Sequence, residues 1–234
     1  MNYDEKLTRR GSLLRLAGFA AVAAGGAGWR AAEGDAAGTG PPLALSSGAV
    51  ACVLTPELTE GPYYVAGERL RRNIRVGKPG TPLELRLRVV NASTCKPLRA
   101  AAVDVWHCDA SGVYSGAVAN NPGTNFLRGI QPTNAQGIAT FETIYPGWYQ
   151  GRAVHVHVKV HVGGDVVHTG QLFFPAAVTD AVYRKAPYES HGTTPDTPNS
   201  ADAIFRNGGA KGVLALTRRG AGYVGSIAMG VHVS

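Results

Sequence analysis

The chain has 234 residues, of which 44% are hydrophobic and 17% are charged, so it can form a packed core and is not globally disordered. Its formal net charge is +7, but no nucleic-acid-binding motif accompanies that charge, and no nucleic-acid partner is predicted. The length fits one domain with a tail, and 31 glycines and 14 prolines favour short strands and turns over long helices.

The first 30 residues have the anatomy of an export signal. The pair Arg9 and Arg10 precedes an apolar stretch, residues 16–28, which resembles a twin-arginine signal except that Ser12 stands where phenylalanine is common. That stretch is short and rich in glycine and alanine, so no stable membrane span is expected after processing; an uncleaved N-terminal anchor is the alternative. The sequence predicts export to the periplasm or the cell exterior.

Residues 31–51 are rich in alanine, glycine, proline and serine, which predicts a flexible linker before one folded domain over residues 52–234. Three cysteines fall in that domain: Cys52, Cys95 and Cys108. An oxidising compartment permits one disulfide and leaves one thiol, and the sequence does not pair them. No CxxC spacing occurs in the sequence, so a zinc site built from these cysteines is not expected.

Short apolar alternations separated by turns predict a series of strands in the domain. The predicted strands cover residues 83–90, 101–110, 137–147, 153–162 and 166–174. A short helix is expected within residues 176–188, and residues 212–233 resemble a closing hairpin. This order predicts a mainly β protein, an antiparallel β-sandwich in which long loops form the active site.

The predicted strand at residues 153–162, with the sequence AVHVHVKVHV, alternates valines with polar residues. Side chains two positions apart share a face, so His155 and His157 project together, with Lys159 and His161 further along. Histidine is the commonest metal ligand, but a bare His-x-His pair also occurs on solvent-facing strands. The pair by itself does not decide between these interpretations.

Other chain positions narrow the choice of metal. An iron site with a carboxylate ligand would need an acid near the pair, and Asp165 lies beyond a Gly-Gly turn. A zinc hydrolase would need a third ligand, and His161 lies about 13 Å from His155 along an extended strand. Tyr149 and Tyr114 precede the pair, and a phenol with a pKa near ~10 needs a strong Lewis acid such as Fe(III) to become a phenolate ligand.

Four segments together resemble the intradiol ring-cleavage dioxygenases. They contain TPELTEGPYYV (55–65), VDVWHCDASGVYSG (103–116), the stretch from FLRGIQP to AVHVHVKV (126–160), and TGQLFFP (169–175). The chain looks most like the small exported branch related to protocatechuate 3,4-dioxygenase and catechol 1,2-dioxygenase. The specific signal is the order Tyr, then Tyr-x5-His-x-His, with an arginine three positions before the first histidine.

The resemblance implies a non-haem Fe(III) cofactor and a set of site residues. Tyr114 and His155 would be equatorial ligands, and Tyr149 and His157 would be axial. The implied residues around the metal are Arg152 beside the iron, Gln171 at the pocket edge, Trp106 as an aromatic wall, and Pro62 and Tyr63 as weaker pocket candidates.

The implied reaction cleaves a small aromatic diol between its two hydroxylated carbons with O2, giving a cis,cis-muconate-type diacid. Tyr149 would leave the metal and act as a base, and Arg152 would stabilise developing negative charge. Two alternatives stay open: a metal-free transthyretin-like or carbohydrate-binding β-sandwich, and a zinc hydrolase. Residues 1–51 do not resemble the helical region through which the catechol branch dimerises, so the sequence leaves a homo-oligomer open, as it does the choice of catechol.

Overall fold

The computed structural model describes residues 53–116 and 123–233. The predicted export signal and linker, together with Cys52, lie outside the described residues. Within them the secondary structure is mostly strand. The elements are β1 (Pro82–Asn91), β2 (Ala102–Trp106), β3 (Arg128–Pro132), β4 (Ile138–Ile144), β5 (His155–Val162), β6 (Asp165–Phe173), α1 (Ala176–Tyr183), α2 (Ala203–Arg206), β7 (Ala215–Arg219) and β8 (Gly222–Val231). Three single turns of 3-10 helix lie among these elements.

The strands form two four-stranded sheets, one in the order β4-β1-β8-β7 and the other in the order β3-β2-β5-β6. Most neighbours pair antiparallel, as predicted, but β1 and β8 pair parallel along their length. The short helix and the closing hairpin are both present where the sequence predicted them. Strand β3 was not predicted, because its sequence RGIQP carries no alternation.

The core lies between the two sheets and is built mainly from alternate residues of β1, β2, β4 and β5. Val156, Val158 and Val160 of β5 are fully buried, as are Leu85 and Leu87 of β1. Burying a valine side chain completely stabilises the fold by about 2 kcal/mol, so one face of β5 is fixed by this core. The predicted valine face is therefore confirmed.

The opposite face of β5 is also buried, although it carries polar residues. His155 and His157 are 2% and 1% exposed, so solvent does not explain the polarity of this face. A segment running from Leu58 to Tyr64, the cover segment, lies over it. Leu58 donates its backbone N–H to the Thr169 carbonyl (2.9 Å), and the next residues continue across the histidines.

His161 does not continue the line of side chains that His155 and His157 begin on β5. The pairing of β5 with β6 shifts register between Val160 and His161, and the His161 side chain is half-buried. Its Nε2 has no hydrogen-bond partner among the described residues. His161 therefore does not complete a three-histidine zinc site with His155 and His157.

Cys108 is the thiol left over: it is buried and free, with its Sγ 3.4 Å from the Gly147 carbonyl oxygen, whereas Cys95 is disulfide-bonded. The neighbouring His107 is held by Cys108 and Thr143, in agreement with a structural role. In the part of the chain that the structure describes, no helix has the length and apolarity needed to cross a membrane.

Candidate metal centre

Two phenol oxygens and two imidazole nitrogens converge on one buried point. The Nε2 atom of His155 lies 3.1 Å from Nε2 of His157, 3.2 Å from the Tyr149 hydroxyl and 3.5 Å from the Tyr114 hydroxyl. The four residues come from β5 and from two separate loops. The structure thus brings together all four side chains that the sequence assigned as metal ligands.

The loop that carries Tyr114 is shaped by Asp109. One carboxylate oxygen of Asp109 accepts the backbone N–H groups of Ser111 (2.9 Å) and Val113 (3.0 Å), and the other binds Lys78 at 2.8 Å. An aspartate that caps the following backbone in this way favours a tight turn. This turn directs the Tyr114 side chain back toward β5.

The loop that carries Tyr149 packs directly on the same turn. Gly147 donates its backbone N–H to the Asp109 carbonyl at 3.0 Å. A side-chain Cβ on Gly147 would lie only 2.4 Å from that carbonyl oxygen, so this close approach requires glycine. The approach brings the Tyr149 loop alongside the Tyr114 loop.

Both histidines are in the neutral state that metal ligation requires. Burial, together with the Arg152 charge, lowers the pKa of His155 to about 3. Burial and the neighbouring His155 hold the pKa of His157 well below its usual value. The Nδ1–H of His155 donates to the Ala153 carbonyl (2.6 Å), which leaves its Nε2 free to bind a cation.

The two tyrosines differ in their surroundings. Tyr114 is 1% exposed, and burial raises the pKa of its hydroxyl well above the usual value. Burial raises the pKa of Tyr149 only to about 12, because the Arg152 charge acts in the opposite direction. Tyr149 is also partly exposed and is therefore the more accessible of the two phenols.

Arg152 is held on three sides. Its Nη1 lies 3.3 Å from the Tyr149 hydroxyl, its Nη2 donates to Oε1 of Gln171 (2.5 Å), and its Nε donates to Asp202 (2.9 Å). Gln171 in turn donates its Nε2–H to the Thr59 carbonyl (3.0 Å). Gln171 thus acts as a brace between Arg152 and the cover segment.

The pocket candidates fall at different depths. The ring of Tyr63 stacks on Tyr114 with centroids 4.2 Å apart and meets Tyr149 edge-on at 5.9 Å, whereas Pro62 is exposed beside it. Trp106 is fully buried and stacks on His157 at 4.9 Å, so it lies behind that histidine. Trp106 therefore supports the metal-facing ring from behind.

Sequence reasoning missed two residues at the site. Asp202 pairs with Arg152 from 50 positions further along the chain, and Tyr64 packs on Trp106 at 4.9 Å and under the Lys159 ammonium at 3.7 Å. The only sequence signal for Asp202 was its type, because aspartate is a favoured residue at a helix N-terminus. No signal linked either residue to the histidine strand.

The donor set identifies the kind of cation that fits. Among residues 53–116 and 123–233, no group of three or more His, Cys, Asp or Glu side chains could hold a metal ion. The two phenols complete the set instead, since they add hard oxygen donors to the two imidazoles. Such donors fit a hard, highly charged cation better than zinc.

A protein-family model described as "Dioxygenase" matches residues 59–180, which is just over half of the chain. The matched range contains both tyrosines, both histidines, Arg152 and Gln171. It ends before Asp202.

Solved structures with the same fold carry related names. An intradiol ring-cleavage dioxygenase from Tetranychus urticae is 34% identical, with a TM-score of 0.73 and coverage of 77% of this chain and 95% of that one. The dioxygenase domain of a carbohydrate-binding fusion protein from Streptomyces sp. SirexAA-E is 30% identical, with a TM-score of 0.60 and coverage of 78% and 100%.

Curated relatives match this chain over only part of their length. Catechol 1,2-dioxygenase 2 from Acinetobacter lwoffii is 37% identical over 99 residues, covering 41% of this chain and 35% of the relative. Chlorocatechol 1,2-dioxygenase from Pseudomonas putida is 29% identical over 168 residues, with 61% of each chain covered. The chain thus spans less than two thirds of the length of either relative.

Proposed function

The chain belongs to the intradiol ring-cleavage dioxygenase family, and we propose that it binds a non-haem ferric ion and cleaves a catechol-type ring between its two hydroxylated carbons. O2 is the co-substrate and a cis,cis-muconate-type diacid is the product. The observation that carries the proposal is that two tyrosine oxygens and the Nε2 atom of neutral His157 lie within 3.5 Å of Nε2 of neutral His155.

Fe(III) is the cation that suits these donors. Both tyrosines are protonated at neutral pH and burial raises their pKa values further, so a ligand phenolate forms only beside a strong Lewis acid. When bound, the ferric ion would supply that acidity and make a chelated diol reactive toward O2. Tyr114, Tyr149, His155 and His157 are the residues that would hold it.

Tyr149 is the proposed base. Its hydroxyl is partly exposed and contacts Arg152, whereas Tyr114 is buried beneath the Tyr63 ring. As a phenolate, the more accessible Tyr149 oxygen would take up the proton of a substrate hydroxyl, whereas Tyr114 is too buried to serve as that base. General base catalysis of this kind contributes about 10²–10⁴-fold to the rate.

Arg152 supplies positive charge at the same point. Its Nη1 faces the Tyr149 oxygen, so it can stabilise an anion on that oxygen or on a substrate beside it. Gln171 orients the guanidinium from one side. The stacked Tyr63 ring offers a flat apolar surface that suits an aromatic substrate and excludes water from the metal side of the pocket.

The metal-free alternative, a transthyretin-like or carbohydrate-binding module, is not favoured. A binding module gives no reason to bury two neutral histidines and two phenols with their nitrogen and oxygen atoms facing one another. A zinc hydrolase is not favoured either, because the described residues supply no third nitrogen or carboxylate ligand beside His155 and His157.

We also propose that the protein is exported through its twin-arginine-type N-terminus. The arginine pair and the apolar stretch after it support this proposal, and so does the disulfide at Cys95, since disulfides persist in oxidising compartments. The twin-arginine route carries folded proteins, which suits an enzyme that takes up its metal before it leaves the cytoplasm.

The function is tested with iron-loaded protein. We expect a red-brown phenolate-to-ferric absorption band and O2 consumption with at least one of catechol, protocatechuate and hydroxyquinol. Tyr114→Phe and Tyr149→Phe should each alter the band, and Tyr149→Phe should lower kcat by about 10²–10⁴-fold.

Tyr223→Phe is the matched control, because Tyr223 lies on β8 in the other sheet; it should keep the band and the rate. A colourless protein that binds no iron and consumes no O2 with any of the three diols would contradict the proposal.

A further inference from the structure

We propose that Asp202 is a positioning residue for Arg152: it fixes the guanidinium so that Nη1 faces the Tyr149 oxygen and the metal. The inference rests on the proposed function. It assigns a role to a residue that lies beyond the matched family region, which ends at residue 180.

The two carboxylate oxygens of Asp202 have separate partners. Oδ2 accepts the Nε–H of Arg152 and the backbone N–H of Ala153, both at 2.9 Å. Oδ1 accepts the backbone N–H groups of Ile204 (2.7 Å) and Phe205 (3.3 Å), which caps helix α2. One side chain therefore ties the arginine loop to the first turn of a helix.

The Asp202 carboxylate is well suited to this task. Its side chain is 1% exposed, so competing water is largely excluded. Burial alone would favour the protonated acid, but the Ala153 N–H and the Arg152 charge hold its pKa below the usual value. The carboxylate is thus ionised and complementary to the guanidinium at neutral pH.

The remaining contacts of Arg152 show what Asp202 controls. Asp202 takes Nε and Gln171 takes Nη2, so Nη1 is the nitrogen that reaches the Tyr149 oxygen. An arginine side chain has several rotatable bonds, and two fixed acceptors on different edges of its planar group define one orientation. Without Asp202 only the contacts with Gln171 and the Tyr149 hydroxyl would restrain it.

A second carboxylate, that of Asp196, also holds the loop that carries Arg152. Asp196 accepts the backbone N–H of Gly151 at 3.1 Å through its Oδ2. The loop from Tyr149 to Ala153 is therefore held from one side by a segment outside the sheets. This arrangement gives the loop a fixed position independent of β5.

The central experiment is Asp202→Ser in the iron-loaded protein. Serine keeps a side-chain acceptor for the N-terminus of α2 but is too short to reach Arg152. We expect kcat/KM to fall by about 100-fold, mainly through kcat, because a misplaced catalytic group costs about that much. The phenolate-to-ferric band should stay, since none of the four ligands is changed.

A double-mutant cycle separates positioning from a general structural effect. In an Arg152→Gln background, Asp202→Ser should change kcat/KM by less than about threefold, because the residue it positions is absent. Glu84→Gln is the matched control for loss of one ion-paired carboxylate: Glu84 pairs with Arg219 on the other sheet, and this variant should keep the wild-type rate.

An unchanged kcat/KM in Asp202→Ser would overturn the inference, and so would an equal loss in the Arg152→Gln background. If the wild-type protein cleaves no diol, the proposed function fails, and the inference is then judged on metal-free protein. The ¹⁵N-resolved Nε–H signal of Arg152 should exchange slowly in wild type and in Glu84→Gln. It should exchange fast in Asp202→Ser, and equal protection there would also overturn the inference.

Discussion

Burial shifts the pKa values of His155 and Tyr149 in opposite directions, and both shifts favour the neutral form of the side chain. It lowers the pKa of His155 to about 3 and raises that of Tyr149 to about 12, since an uncharged form is favoured where water is absent. The result is a buried cluster in which both groups stay neutral over a wide pH range around neutrality.

His107 shows the same effect away from the metal ligands. It is fully buried, its Nδ1–H donates to the Cys108 carbonyl, and its Nε2 accepts the Thr143 hydroxyl, both at 2.7 Å. Burial lowers its pKa to about 4. This ring is neutral in the folded protein and gains a proton on unfolding at mildly acidic pH.

This pKa shift predicts a loss of stability in acid. The unfolded chain takes up the proton below a pKa of about 6.5 and the folded chain only near 4, so the contribution of His107 is full above pH 6.5 and declines as the pH falls. Between pH 6.5 and 5 the free energy of unfolding should fall by about 2 kcal/mol through this residue.

The measurement is urea unfolding of metal-free wild type and His107→Gln at both pH values. Glutamine keeps a donor and an acceptor but does not titrate, and the other histidines contribute equally to both proteins. Wild type should therefore lose about 2 kcal/mol more than the variant. An identical loss in the two proteins would contradict the prediction.

At the scale of elements, β5 serves two functions with its two faces. Its valines pack in the core between the sheets, and its histidines face the metal centre under the cover segment. The cover segment is attached to the site at Gln171 and by an ion pair between Glu60 and Lys159. The candidate metal centre and the core thus share one strand, which holds the two histidines in rigid positions.

Gly61 of the cover segment lies close to the His157 ring. It has a φ of +73°, and a Cβ there would lie 3.1 Å from Cε1 of His157. Gly67 has nearly the same backbone angle, +77°, but nothing lies within 4 Å of its Cβ position. The two glycines therefore separate backbone strain from crowding of the metal site.

We expect Gly61→Ala and Gly67→Ala each to lower the free energy of unfolding by about 1 kcal/mol, because alanine is strained at positive φ. Only Gly61→Ala should also weaken ferric-ion retention, by about 10-fold or more, since it displaces the His157 ring. Chelator competition monitored by the phenolate-to-ferric band measures this. Equal retention in both variants would show that the cover segment does not constrain His157.

At the scale of the whole molecule, the two sheets form the scaffold and three loop regions supply the chemistry. Tyr114 and Tyr149 come from loops after β2 and β4, and Asp202 comes from the segment between α1 and β7. The two tyrosine loops each leave from the end of a strand that is fixed by the core. Functional residues on loops that a rigid scaffold holds are a common arrangement in proteins.

The export proposal also applies to the whole molecule. In a bacterial host with a twin-arginine pathway, replacing both Arg9 and Arg10 by lysine should retain the full-length protein in the cytoplasm, because that pathway reads the arginine pair. Cell fractionation with immunodetection measures this, and Arg15→Lys is the control that leaves the pair intact. Export of the double variant at the wild-type level would argue against this route.

The sequence by itself determined the strands with clean alternation, the face of β5 that carries the histidines, and the four metal-ligand candidates. Side-chain alternation is a local property of the chain, whereas the ligand candidates came from the resemblance of the ordered motif to a known family. The sequence did not predict β3, whose residues have no alternation, or the parallel pairing of β1 with β8, which joins segments about 140 residues apart.

Only the tertiary structure decided that the histidine face is covered, that His161 leaves the row, and that Asp202 holds Arg152. The physical reason is the same in each case. Burial, strand register and ion pairing depend on which segments, distant in the sequence, pack against each other. The pKa values and side-chain orientations at this site result from those tertiary contacts.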